Sequence, residues 1–219
     1  MIPLRDDIPS HTFPFVTISI IALNALVFIY QTTLGMHGAE AFIYRTAAIP
    51  YEITNFLDVP PRSVAPPPFT ILTSIFVHGG LLHIAGNMLF LWIFGDNVED
   101  TLGHFKFIVF YLFAGTAASL THIIMEPAST VPMIGASGAI AGVLGAYFIL
   151  FPRANIKTLV VLLLFVRVVW IPAVVFLGFW FIIQLLSSGA GGAGGIAWYA
   201  HIGGFLAGAA IVLLLRPGR

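Results

Sequence analysis

A serine, a few histidines and an asparagine set in apolar surroundings carry the chemistry of this chain. Ser137 stands in IGASGAIAGVLGAY, His201 in AHIGGFLAGAA, and His78, His83 and Asn87 in HGGLLHIAGN. A hydroxyl becomes a nucleophile when an imidazole in hydrogen-bond reach takes its proton. His83 and Asn87 are four residues apart and share a helix face. They can present two donors to one oxygen, as stabilising a developing oxyanion requires. His78 lies five residues before His83, about 140° around a helix, so the two are not expected to bind one metal. The H-E-x-x-H pattern is absent and no acid stands beside an intramembrane His, which argues against a metalloprotease. Cysteine is absent, so thiolate nucleophiles, thiolate metal sites and disulfides are excluded. No metal and no cofactor is expected.

A third catalytic member is missing from this set. The acids are Asp6, Asp7, Glu40, Glu52, Asp58, Asp96, Glu99, Asp100 and Glu126, and all fall in tails, loops or span ends. The residues therefore predict a Ser–His dyad without an acidic orienter, unlike the Ser-His-Asp template. With no Asp in mid-span, an aspartyl intramembrane protease is disfavoured as well.

These residues must be positioned by membrane-spanning elements. Of 219 residues, 59% are hydrophobic and only 8% charged, against about 25% charged in soluble domains. Nine Lys/Arg and nine Asp/Glu cannot coat a water-soluble fold of this size. The mean hydropathy of +1.01 suits a polytopic membrane protein. Zero net charge gives no sign of nucleic-acid binding. The expected architecture is all-α: a single membrane domain over 1–219 with six transmembrane helices. The spans are expected at about 15–34, 70–95, 105–125, 136–151, 171–187 and 196–215. No small-residue cleavage site follows the first apolar run, so it reads as a retained span. Residues 35–68 form a long outer connection, amphipathic enough in part to lie in the interface. Residues 156–168 are read as an interfacial return, which keeps Arg167 away from the bilayer centre. Residues 187–195, a Gly/Ser-rich stretch, are read as a flexible outer loop.

Orientation follows the Lys/Arg bias. With the N-terminus inside, Arg5, Lys106, Arg153, Lys157, Arg167, Arg216 and Arg219 are inner and only Arg45 and Arg62 outer. Both termini are thus expected on the cytoplasmic side. Spans two, four and six then run inward, and His83, Asn87, Ser137 and His201 fall at similar depth in the outer half of the membrane. Three helix N-termini turn their positive ends to that region. Gly135, Gly138, Gly142 and Gly145 on span four, and Gly204 and Gly208 on span six, form small-residue faces that let two membrane helices approach closely.

GASG at 135–138, HGGLLHIAGN at 78–87 and AHIGGFLAG at 200–208 resemble the three signature regions of rhomboid intramembrane serine proteases, in order, over about residues 69–215. The resemblance implies Ser on span four as nucleophile (Ser137) and His on span six as base (His201). It implies His83, Asn87 and the Ser137 amide as the oxyanion site. His78, Gly135, Gly138, Gly204 and Gly208 take supporting roles, as do Glu99 and Gly103, which match an E-x-x-x-G after span two. It implies transmembrane protein substrates that enter sideways from the lipid bilayer, with span five as gate and the 187–195 loop over the site. The compact core resembles prokaryotic members, so a bacterial or archaeal plasma membrane is expected.

Two positions depart from the family pattern. Phe69-Thr70 stands where members carry Trp-Arg in the first loop. Ala141 stands where some carry a Tyr stacked on the catalytic His, which leaves Trp198 and Tyr199 as aromatic candidates for orienting His201. Read singly, several features have plainer roles. Ser137 in a Gly-rich helix is a packing residue and His122 a packing or interface residue. His104, His37 and His11 are solvated, and Trp92, Trp170, Trp180 and Trp198 are belt or packing residues. The competing reading of the whole is a non-catalytic binding protein or transporter on the same scaffold.

Overall fold

The computed structural model describes residues 1–162, 165–189 and 195–215. In chain order it contains β1 (Ile2–Asp6), α1 (Phe15–Thr33), α2 (Gly35–Thr46), α3 (Pro50–Asn55), a 3-10 turn (Pro67–Phe69), α4 (Thr70–Ser74) and α5 (Leu81–Leu102). There follow α6 (His104–Met125), α7 (Ser137–Leu150), β2 (Asn155–Leu162), β3 (Phe165–Pro172), α8 (Ala173–Gly189) and α9 (Trp198–Leu215). Among the described residues, α1, α5, α6 and α9 are long and apolar enough to cross a membrane, while α7 and α8 are apolar but shorter, at 14 and 17 residues.

Helix α7 is the axis of the bundle. It is built of small and apolar residues on every side, and all of Ala139–Tyr147 is buried, the pattern of a helix enclosed by neighbours. Its approach to α9 is a backbone contact. A Cβ at Gly204 would collide with the carbonyl oxygen of Gly138, and one at Gly208 with that of Gly142. Helix α5 covers another side with Leu91, Phe94 and Val98, each fully buried, and Phe94 meets the Tyr147 ring edge-on at 5.0 Å. The outer faces carry large exposed apolar side chains, such as Leu23, Leu26 and Ile29 on α1 and Val175, Phe179 and Ile182 on α8. Such patches mark a surface made for lipid.

The all-α expectation is corrected by a three-stranded antiparallel sheet in the order β1-β2-β3. Ile2 pairs with Leu159 and Asp6 with Ile156, while Ile156 pairs with Ile171 and Val161 with Val166. The stretch read as an interfacial return is thus made of strands, β2 up to Leu162 and β3 from Phe165. The Ile156, Thr158, Val160 and Val161 of β2 and the Val166, Val168 and Val169 of β3 suit a pleated surface better than a helix. The sheet is tied to the helices by Asp6, which accepts a 2.5 Å hydrogen bond from Tyr147 Oη. Burial pushes the Asp6 carboxyl up to about 6, partly offset by that bond. Asn155 donates from its backbone N–H and its side chain to Asp7, at 2.7 Å each, which holds the Asp7 carboxyl below its usual range.

Residues 70–95 are not one helix: α4 ends at Ser74, and α5 begins only at Leu81, after Gly79-Gly80. The long connection 35–68 contains the helices α2 and α3. It is fastened by a two-way bridge, Ala48 N–H to Met133 O at 3.1 Å and Met133 N–H to Ala48 O at 2.9 Å. A 2.6 Å bond from Thr73 Oγ1 to Thr46 O adds to this. These contacts fasten the connection to the rest of the fold.

Candidate active site

Ser137 opens α7 just after Gly135, whose φ of +112° is a conformation that side chains rarely adopt. Gly135 N–H donates to Ser74 O at 2.9 Å, pinning this turn to α4. As the first residue of the helix, Ser137 carries one of the N–H groups that have no intrahelical acceptor. Its Oγ lies 2.8 Å from His201 Nε2. His201 comes from the first turn of α9, and the α7–α9 backbone contact sets the distance between the two. The other imidazole nitrogen, Nδ1, lies 2.8 Å from Oε1 of Gln184 on α8. Trp180 and Trp198 flank the ring, with centroids at 5.9 and 6.1 Å. Of the two aromatic candidates named above, Trp198 faces His201, whereas Tyr199 faces His122 at 6.2 Å.

His83 and Asn87 sit on one face of α5 beside the Ser137 turn. A Cβ placed on Gly135 would lie 2.7 Å from His83 Nε2 and 3.4 Å from Asn87 Nδ2. His83 Nδ1 accepts from Gly79 N–H at 3.3 Å, which leaves Nε2 as the donor turned toward Gly135. Asn87 Nδ2 lies 2.9 Å from His78 Nε2, and an amide nitrogen has a second proton left for another acceptor. His78 precedes α5, so the helical angle between it and His83 does not apply. The interruption between α4 and α5 brings the two rings to 5.0 Å, edge to face. His78 is fully buried, and its carbonyl accepts from Gln31 of α1 at 2.9 Å. Among the described residues no group of three or more His, Cys, Asp or Glu is placed to hold a metal ion.

A cavity of about 950 Å³ connects these groups, lined by His83, Asn87, His122, Ser137, Trp180 and His201 among others. His122 is buried on its wall. Gln184 on α8 has no place in the residue pattern of the sequence analysis, although it is the one amide in the apolar stretch 173–186. Most of the Gly-rich 187–195 stretch, residues 190–194, lies outside the described residues.

Glu99 and Gly103 lie elsewhere, at the opposite end of α5. Glu99 is fully buried and accepts from the N–H groups of Val16 and Thr17, at 2.9 and 2.7 Å, in the first turn of α1. The residue before that turn is Pro14, which has no capping side chain, so Glu99 caps α1 from a neighbouring helix. His104, read from sequence as solvated, is half exposed and hydrogen-bonds Glu99 Oε1 at 2.6 Å. Gly103 turns the chain from α5 into α6 at φ +78°.

The Rhomboid domain family matches residues 67–218. The chain is 36% identical over 147 residues to the rhomboid protease GluP of Bacillus subtilis, covering 65% of this chain and 26% of that protein. It is 36% identical over 150 residues to the mitochondrial rhomboid protein 1 of Saccharomyces cerevisiae, covering 64% and 39%. It is 32% identical over 120 residues to the chloroplastic rhomboid-like protein 11 of Arabidopsis thaliana, covering 54% and 39%. The matches thus span at most 39% of the length of these relatives. Two of the three carry organellar names, so the expected prokaryotic plasma membrane gains no support from them. The match over 67–218, together with the apolar helices that flank the site, places this integral, multi-pass membrane protein in the rhomboid family.

Proposed function

We propose that this chain is an intramembrane serine endopeptidase that hydrolyses peptide bonds of transmembrane proteins near the outer membrane boundary. The observation that carries the reading is the 2.8 Å contact between Ser137 Oγ and His201 Nε2 at the wall of a large cavity. Ser137 Oγ attacks the scissile carbonyl carbon while His201 Nε2 takes the hydroxyl proton. The carbonyl π electrons move onto oxygen, where the Ser137 N–H, His83 Nε2–H and Asn87 Nδ2–H meet the negative charge. Collapse breaks the C–N bond, and His201 returns its proton to the leaving amine. Water then repeats the sequence on the acyl-enzyme and frees Ser137.

On this reading α1, α5, α6, α7, α8 and α9 are six spans, with both termini on the cytoplasmic side. Helix α7 is only about 21 Å long at 1.5 Å per residue, shorter than the hydrocarbon layer of about 30 Å. Its first residue, Ser137, then sits below the outer boundary, in a cavity that water reaches from that side. The substrate enters from lipid past α8, whose outer face is the least enclosed of those near the site.

A fluorophosphonate probe tests the reading directly. It is expected to label the folded protein at Ser137, and labelling is lost in Ser137→Ala and strongly reduced in His201→Ala. Labelling at any other residue, or equal labelling of His201→Ala, contradicts it.

A further inference from the structure

Ser137 and His201 alone do not decide which imidazole nitrogen carries the proton. A base is needed at Nε2, so Nδ1 must be the protonated nitrogen. In soluble triads a carboxylate enforces this, whereas here the side-chain partners of the His201 ring are Gln184 and Ser137. The group at Nδ1 is the side-chain oxygen of Gln184, at 2.8 Å. An amide oxygen only accepts, so Nδ1 must donate and Nε2 keeps its lone pair toward Ser137 Oγ. The orientation of the amide is itself fixed, because Gln184 Nε2 donates to the carbonyl oxygen of Trp180 at 3.1 Å. Turning the amide over would set two acceptor oxygens against each other and favour the opposite tautomer, with Nε2 protonated and unable to act as a base. Gln184 is 4% exposed, so water does not compete for these bonds. A neutral amide also avoids burying a carboxylate among apolar helices, which is costly.

The three groups come from three helices: Ser137 from α7, His201 from α9 and Gln184 from α8. Helix α8 rests on α9 through Phe181 against Phe205, ring centroids 4.6 Å apart, while its far side is exposed. Trp180 and Gln184, four residues apart on one face of α8, both touch His201. Displacing α8 would therefore remove the Nδ1 acceptor and one ring face together.

We propose that Gln184 is the positioning residue of the site: it holds His201 in the Nδ1–H tautomer, and because α8 carries it, base competence depends on α8 being seated against α9. This deepens the reading of Ser137 and His201 as a hydrolytic dyad and rests on it. When His201 takes the serine proton, the Nδ1–H bond to Gln184 becomes charge-assisted and stronger, and the amide itself neither gains nor loses a proton.

The test is cleavage of a single-span model substrate by the full chain in detergent, comparing wild type, Gln184→Leu, Gln184→Glu and Ser137→Ala. Gln184→Leu keeps the volume and removes the acceptor. It is expected to lower kcat about tenfold to hundredfold, as for loss of a hydrogen bond to a charged group, with KM and thermal midpoint unchanged. Gln184→Glu restores an acceptor and is expected to recover most of the lost kcat, although Leu suits an apolar helix better than Glu does. A merely structural role predicts the reverse ranking. Wild-type kcat in Gln184→Leu overturns the proposal, as does Gln184→Glu no more active than Gln184→Leu, or a midpoint that falls in step with kcat. Cleavage that survives in Ser137→Ala removes the dyad reading itself, a failure distinct from that of Gln184.

Discussion

Replacing Glu99 removes a cap that the α1 sequence does not supply for itself. Glu99 is fully buried on α5 and accepts from Val16 N–H, Thr17 N–H and His104. In Glu99→Ala the two amides at the start of α1 lose a charged acceptor, each such bond being worth about 1.5–3 kcal/mol. The α1 dipole loses its anion as well. Partial relaxation of the helix end recovers some of this, so the net loss is about 3 kcal/mol, at the low end for breaking a buried charged network. For a domain of this size that is a fall of about 6–12 °C in thermal midpoint. Glu99→Gln keeps one accepting oxygen and falls between Ala and wild type. His104→Ala loses only a half-exposed partner and costs about 0.5–1 kcal/mol. Thermal unfolding of the purified variants in detergent, followed by tryptophan fluorescence, reads all three. A Glu99→Ala midpoint equal to wild type, or a Gln variant no better than Ala, refutes the capping argument.

The α7–α9 contact has no room for a side chain. Gly208→Val is expected to cost about 1–3 kcal/mol from overpacking and to reduce fluorophosphonate labelling at Ser137 by widening the gap to His201, with both readouts taken on the same preparation. The Asp6 carboxyl is raised from 3.8 to about 6 in the folded protein. The folded state therefore binds its proton more tightly, so the stability contributed is complete below pH 4 and is lost as pH rises through about 6. Its half-exposed position limits the effect to about 1 kcal/mol. Asp6→Asn, which still offers Tyr147 an acceptor, is expected to flatten this part of a melting profile taken between pH 4 and 7, and an unchanged slope would contradict it.

The sequence exposed some of this architecture and hid the rest for identifiable reasons. The long apolar helices stand out by composition, and the small-residue faces on α7 and α9 are visible as glycines four apart. The β2–β3 hairpin was hidden because a continuous apolar run reads equally as a buried strand or a helix segment. Its third strand, β1, lies about 150 residues upstream, beyond any local pattern. The break between α4 and α5 was signalled by Gly79-Gly80, but hydropathy runs straight through it. That break also undid the helical-wheel argument separating His78 from His83. Gln184 carries no charge to mark it in the sequence, since a membrane interior favours an uncharged acceptor over an acid.

The central claim is that Ser137 and His201 act together as a peptide-bond hydrolase. Its most direct test is cleavage of a single-span substrate by the purified chain in detergent, with the scissile bond located by mass spectrometry. The account predicts one main cut near the outer end of the substrate's apolar segment, abolished in both Ser137→Ala and His201→Ala while both variants keep the wild-type thermal midpoint. Cleavage undiminished in either folded variant would contradict it.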